Sequence, residues 1–165
     1  METRDDMQSR AKVWDMVKDI RIALMVTQDG SGMLHARPMS AVKREGEHLW
    51  FMTRGDSHKI TEIKQHSHVL LSYSEPKDQN YVSINGNAEI VNDRAKIKEL
   101  WSEFLRTWFP KGPDDPAIAL IRVDAEAAEY WDSPSSAFVY AYGYVKARLT
   151  GKIPEELGDV AHVNL

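Results

Sequence analysis

Arg54, His58 and Lys59 crowd into one short stretch, FMTRGDSHKITEI (residues 51–63), which begins like a β-strand and ends like a helix. Cations at a helix start are unfavourable by about 0.3–1 kcal/mol, because that end already carries partial positive charge. The arrangement becomes favourable once an anion sits there. Free N–H groups of a first helical turn, with Ser57 as cap, and flanking Arg and Lys side chains are what a phosphate needs.

The preceding segment supplies a further cation. HARPMSAVK, the turn REGE and HLWFMT read as a hairpin. With Arg44 opposite Glu47, antiparallel pairing sets Met39 against Met52, Pro38 against Thr53 and Arg37 against Arg54. Two facing arginines are unfavourable unless something negative lies between them. Pro38 lacks a ladder donor, so this strand is expected at an edge or interrupted there, with backbone open to a ligand. A solvated basic surface, with Glu62 pairing His58 or Lys59 as helix neighbours, accounts for the same residues about as well.

The elements that must hold these groups follow from periodicity. Residues 4–20 form an amphipathic helix with Met7, Ala11, Trp14 and Val17 on one face and a capping box from Thr3 to Asp6. Strands follow at 20–28, 33–43, 48–53 and 68–74, with a short helix from Ser57 to about Gln65. A long strand over 81–91 contains Gly86, which predicts a bulge or bend. Beyond an N-cap at Asn92 or Asp93, the apolar stripe Ile97, Leu100, Trp101, Phe104, Leu105 and Trp108 predicts a single helix. FPKGPDDP ends it, and a strand leads through EYWD. Residues 133–165 fit strand or helix. Six antiparallel strands with few helices point to an α+β single domain over 1–165, built on a small barrel. No glycine-rich loop between strand and helix marks a dinucleotide-binding unit.

Composition narrows the chemistry. The 165 residues carry a formal net charge of −4 and no cysteine, which excludes thiolate ligands, disulfides and a cysteine nucleophile. Acidic balance without a basic stripe argues against nucleic acid, and no apolar run reaches the roughly 18 residues of a membrane span. The polar start METRDDMQSR lacks an apolar signal region, so a cytoplasmic location is expected. His66 and His68 share a strand face without further ligands, which is too few for a metal. Asp5–Asp6 and Asp114–Asp115 read as helix-start and loop charges.

HARPM, LWFMT, SHK, FPKGPDDP and AEYWD, in this order, resemble the pyridoxamine 5'-phosphate oxidase-like flavoproteins, most closely the general stress protein 26 group. The resemblance implies a six-stranded antiparallel split β-barrel with flanking helices, homodimeric, with FMN at the dimer interface and FAD as an alternative. It places Arg37 and Lys59 on the FMN phosphate, beside Ser57 and His58. Pro38 and Met39 would lie along the flavin from one strand, and Phe51, Met52 and Thr53 from its neighbour. Trp131 would reach the ring from the other subunit, with Trp108 and Phe109 bordering the pocket. The tail ARLTGKIPEELGDVAHVNL departs from the substrate-binding ending of true pyridoxamine 5'-phosphate oxidases. The implied function is an FMN-dependent oxidoreductase or flavin reductase with NADH or NADPH as donor, or else a flavin store or sensor without turnover. No side chain stands out as a general acid or base.

Overall fold

The computed structural model describes residues 2–132, 144, 148 and 158–165. The chain opens with β1 (Glu2–Thr3) and α1 (Met7–Ile20), followed by β2 (Ile22–Gln28), β3 (Leu34–Ser40), β4 (Lys43–Glu45) and β5 (His48–Arg54). Next come α2 (His58–Gln65), β6 (His68–Glu75), β7 (Asn80–Val91) and α3 (Arg94–Leu100). A short 3-10 helix (Glu103–Thr107), β8 (Ile118–Asp132) and β9 (Asp159–Asn164) complete the described elements.

The sheet closes on itself as a barrel because one strand changes partners. β3 pairs with β2; two residues later the same run continues as β4, paired with β5, and the Val42 N–H already donates to the Trp50 carbonyl at 2.8 Å. The ring then runs β5, β8, β7, β6 and back to β2, all antiparallel. Counting β3 and β4 as one strand gives the expected six-stranded split barrel. The split is the gap where β3 has left β5.

This corrects the hairpin register. Lys43 pairs with Trp50 and Arg44 with Leu49, a two-residue slip from the expected alignment. Above the turn, β3 diverges, so Arg37 faces Met25, Pro38 faces Leu24 and Met39 faces Ala23, all on β2. Arg37 and Arg54 are not cross-strand neighbours. Gly46 explains the register: its φ of +60° takes the αL turn position, which fixes Glu45 opposite His48.

β8 carries two partners on one edge. Its first half pairs with β5 and its second half with β9, while β7 lines the other edge throughout. The handover coincides with a bulge. Asn85 pairs with Ala127 and Gly86 with Ala125, leaving Glu126 as the extra residue. Phe51, Leu71, Tyr73, Ile84 and Ile121 fill the barrel, and α1 closes over it with Val13, Trp14 and Val17. A second cluster outside the barrel packs Trp50 and Met52 against Ile97, Leu100 and Phe109. β5 is therefore covered on both faces.

The helices depart from the sequence reading in detail. The N-cap of α1 is Asp6, whose carboxylate accepts from the Ser9 N–H at 2.9 Å; Thr3 instead belongs to β1, which pairs in parallel with β9. Met7 is consequently 88% exposed rather than on the buried face. The stripe from Ile97 to Trp108 breaks at Trp101, whose ψ of 137° ends α3, and a separate 3-10 helix starts after Ser102, whose side chain makes no cap hydrogen bond. Ile97 and Leu100 already fill the contact, and Ser102 favours a cap over a helix interior. Phe104 and Trp108 are left at 73% and 58% exposure, stacked edge-to-face. The expected Asp93 cap is present, accepting from the Ala95 and Lys96 N–H groups. Of residues 133–157, only Tyr144 and Arg148 fall inside the described residues, both in helical conformation.

Asp159 ties both ends of the chain to α1. Its carboxylate takes Arg4 at 2.6 Å, Lys12 at 2.8 Å and the Tyr130 hydroxyl at 3.0 Å. Lys12, and then Arg4 and Tyr130, outweigh desolvation and hold its pKa at about 2. A carboxyl depressed on folding stabilises above its unfolded value and loses that contribution as pH falls toward the folded one. Asp159→Asn should therefore lower Tm at neutral pH, and the gap from the parent should shrink between about pH 4 and pH 2. A gap constant across a thermal-melt pH series would show that the charge of Asp159 does not contribute.

Candidate functional site

Basic residues from β3 and α2 do converge, by a different route from the hairpin. α2 packs beside β2, which brings Glu62 under Arg37. The Arg37 guanidinium donates to Glu62 Oε2 at 2.8 Å and to the Thr27 hydroxyl, and that hydroxyl in turn donates to Glu62. Thr27 and Glu62 are buried. Desolvation pushes the Glu62 carboxyl up, but the bonds from Thr27 and Arg37 outweigh it and hold it below the usual range. Glu62 thus serves Arg37, not His58 or Lys59.

Lys59 stands beside this triad without a carboxylate of its own. Its ammonium donates to the Thr53 hydroxyl at 3.0 Å, and among the described residues no carboxylate lies within ion-pair distance. Burial and the nearby Arg37 charge hold it below an ordinary lysine, with Glu62 partly restoring it. A half-buried cation in that condition is stabilised by an incoming anion. Arg54, by contrast, is exposed and grips Asp56 through both Nε and Nη2, at 3.0 and 2.8 Å. It does not contribute to the cluster.

The start of α2 is open. Ser57 has cap geometry, but its hydroxyl donates to the Arg54 carbonyl at 2.8 Å instead of accepting from the first turn. The expected hydroxyl cap is therefore not made. The N–H groups of His58 and Lys59 lack a side-chain acceptor from the cap, and the His58 side chain is exposed.

The split presents backbone as well. Gly55 N–H donates to Ala117 O and Trp50 O accepts from Val42, so ladder alternation aims the N–H and C=O of Met52 away from β8 and into the gap. On the facing strand, Asp29 N–H donates to Met33 O, so His35, Arg37 and Met39 turn their backbone to β2 and Pro38 turns its backbone outward. Pro38 occupies an edge position, where its missing N–H costs no ladder bond. Phe51 is fully buried in the barrel and turns its backbone to β8, and the Met52 side chain packs in the outer cluster, so of these two only the Met52 backbone faces the split. Thr53 is buried and oriented toward Lys59.

The aromatic residues divide. Phe109 is buried against the Met52 cluster, and Trp108 stands exposed beside it. Trp131 pairs with Tyr81 at the far end of β8, roughly 30 Å of extended strand from Ile121, the partner of Phe51. One chain does not bring Trp131 to Arg37. Thr27 was not legible as part of the site, since only the docking of α2 on β2 reveals it. Among the described residues, no three His, Cys, Asp or Glu side chains group as metal ligands, and no helix is long and apolar enough to cross a membrane.

A family model described as pyridoxamine 5'-phosphate oxidase like matches residues 8–155. The chain belongs to this family. The curated relative Protein bli-3 of Neurospora crassa is 28% identical over 143 residues, covering 80% of this chain and 68% of that protein. Among solved structures, the general stress FMN/FAD binding protein of Xanthomonas citri is 31% identical with a TM-score of 0.69, covering 79% of this chain and 93% of that one. General stress protein 26 of Bacillus anthracis str. Sterne has a TM-score of 0.67 at 24% identity, covering 75% of this chain and 94% of that one. The family and its split-barrel fold, with general stress protein 26 as a structural neighbour, agree with the sequence resemblance.

Proposed function

We propose that this family member binds FMN in the split between β3 and β5 and acts as an oxidoreductase or flavin reductase. The observation that carries this is Lys59: a half-buried ammonium with no carboxylate partner among the described residues, set beside Arg37 and the uncapped start of α2. These three features fit a phosphate monoester. Ser57 and His58 flank that position. The outward-turned backbone of Met52 fits the polar edge of the flavin ring, with Thr53 beside it and Phe51 shaping the strand from within. Pro38 and Met39 offer an apolar wall opposite. Phe109 borders the same side through the Met52 cluster, with the exposed Trp108 next to it in the chain. When bound, FMN supplies the redox chemistry, taking a hydride from NADH or NADPH; the protein binds, orients and shields it. FAD would need room beyond the phosphate at the α2 start.

The site is completed by a second copy. Ile22, Leu24 and Leu34 are 57%, 47% and 67% exposed on the outer face of β2 and β3, with Pro38 opposite Leu24. That face continues across β6 and β7 to Tyr81, beside Trp131. An exposed apolar patch on β2 and β3, continued by the uncharged Ser72, Ser74 and Ser83 to Tyr81, suits a two-fold interface, which would bring the partner's Trp131 toward the split. The whole of 1–165 then acts as one FMN-binding domain.

Purified protein is expected to be dimeric by light scattering and to show flavin absorbance near about 450 nm after FMN is added. A colourless protein at saturating FMN would sink the cofactor assignment. Anaerobic NADH or NADPH should bleach the bound flavin; failure with both donors would favour a flavin store or sensor.

A further inference from the structure

Among the described residues, three lysines are partly buried: Lys12, Lys59 and Lys96. Two of them are pinned as ammonium ions. Lys12 meets Asp132 at 2.6 Å and Asp159 at 2.8 Å, and these carboxylates outweigh burial and raise its pKa. Lys96 meets Glu45 and Glu99, each at 3.0 Å, and is raised likewise. Lys59 is the exception. Burial and Arg37 both work against its charge, and its ammonium bonds a hydroxyl, that of Thr53, at 3.0 Å.

The kind of partner matters. A carboxylate only accepts, so it holds a lysine protonated. A hydroxyl donates as well as accepts, so Thr53 can turn its hydrogen toward the lone pair of a neutral amine and keep the contact. Desolvation and a neighbouring cation are what turn a lysine into a nucleophile near neutral pH.

The cation that disfavours the ammonium also offers a seat for a leaving group. The Arg37 side chain is 21% exposed and is fixed by Glu62 at 2.8 Å and by Thr27, which take two of its five N–H donors. The others remain for a phosphoryl group beside the open start of α2. A compound with an electrophilic carbon one oxygen away from its phosphorus would be held by the phosphate and presented to Lys59.

We infer that Lys59 is an acylation site whose donor is a small acyl phosphate held by Arg37 and the start of α2. This rests on the phosphate half of the flavin reading and not on the flavin ring. In the step, Lys59 Nζ attacks the acyl carbon. The N–C bond forms, the C–O bond to phosphate breaks, and inorganic phosphate leaves with the bonding pair. The proton lost by the amine passes to water, and nothing is oxidised or reduced. Arg37 stabilises the departing phosphate. The product is a neutral amide, so acylation removes the ammonium that FMN would use and shuts the site.

Acetyl phosphate is the probe, and Lys64, exposed on the same helix, is the internal reference. With the full chain freed of flavin, at neutral pH, peptide mass spectrometry should find Lys59 acetylated at least about tenfold faster than Lys64. Excess inorganic phosphate should suppress the reaction at Lys59 and leave Lys64 unchanged. Equal rates at the two lysines would overturn the inference. So would a preference for Lys59 that excess phosphate leaves intact, because the amine would then react without phosphate recognition. FMN binding is read separately by absorbance. A chain that stays colourless with FMN yet shows phosphate-sensitive acetylation loses the flavin reading alone. A chain that binds FMN without that selectivity loses the acylation site alone.

Discussion

Lys59→Glu is expected to lower FMN affinity by about a hundredfold or more while leaving Tm nearly unchanged. One charge-assisted phosphate contact is worth about 1.5–3 kcal/mol, and reversal adds repulsion to the loss. The fold should tolerate the change because the ammonium holds only the Thr53 hydroxyl. Arg37 offers the informative contrast. Arg37→Ala strips Glu62 of its cation and leaves a buried carboxylate with Thr27 alone, so it should lose both FMN affinity and stability. The double variant should bind FMN little worse than the weaker single one, since both side chains act on one anion. Fluorescence titration of FMN with parallel thermal melts reads all of this. Unchanged affinity in Lys59→Glu would remove the phosphate site from consideration.

Gly86→Ala should destabilise the fold by about 3 kcal/mol, among the larger effects of adding one methyl group. A Cβ at this position would lie 2.4 Å from the Asp124 carbonyl oxygen and 3.1 Å from a Val123 methyl. The obstacle is backbone, which cannot step aside as a flexible side chain can. It also sits where Glu126 bulges and β8 passes from β5 to β9. Relief of the clash would have to shift that handover and, through β5, the Met52 backbone at the split. Chemical denaturation should therefore show the stability loss, and FMN affinity should fall in the fraction that remains folded. A variant as stable as the parent would mean that the bulge relaxes at little cost.

Local features of the chain were legible where one element suffices to decide them. The alternation in β6 and β7, the bulge at Gly86, the Asp93 cap and the edge position of Pro38 all follow from residue type and period. Lys59 and Arg37 were also readable as a pair of cations near a helix start. The single helix expected over residues 97–108 is not formed because its stripe continues through Trp101 and Ser102, where two extended residues break the axis. Periodicity averages over such a break.

By itself the sequence determined the family, the barrel's strands and the basic character of the stretch FMTRGDSHKITEI. Only the tertiary structure decided how those charges are used. It released β3 from β5 and gave it to β2, which opened the split and separated Arg37 from Arg54. It docked α2 on β2, which joined Glu62 and Thr27 to Arg37 and left Lys59 with the Thr53 hydroxyl and, among the described residues, no carboxylate. The physical reason is that strand exchange and helix docking are settled by long-range burial, here Phe51, Leu71 and Ile84 inside one barrel, and no local period encodes which edge a strand will meet.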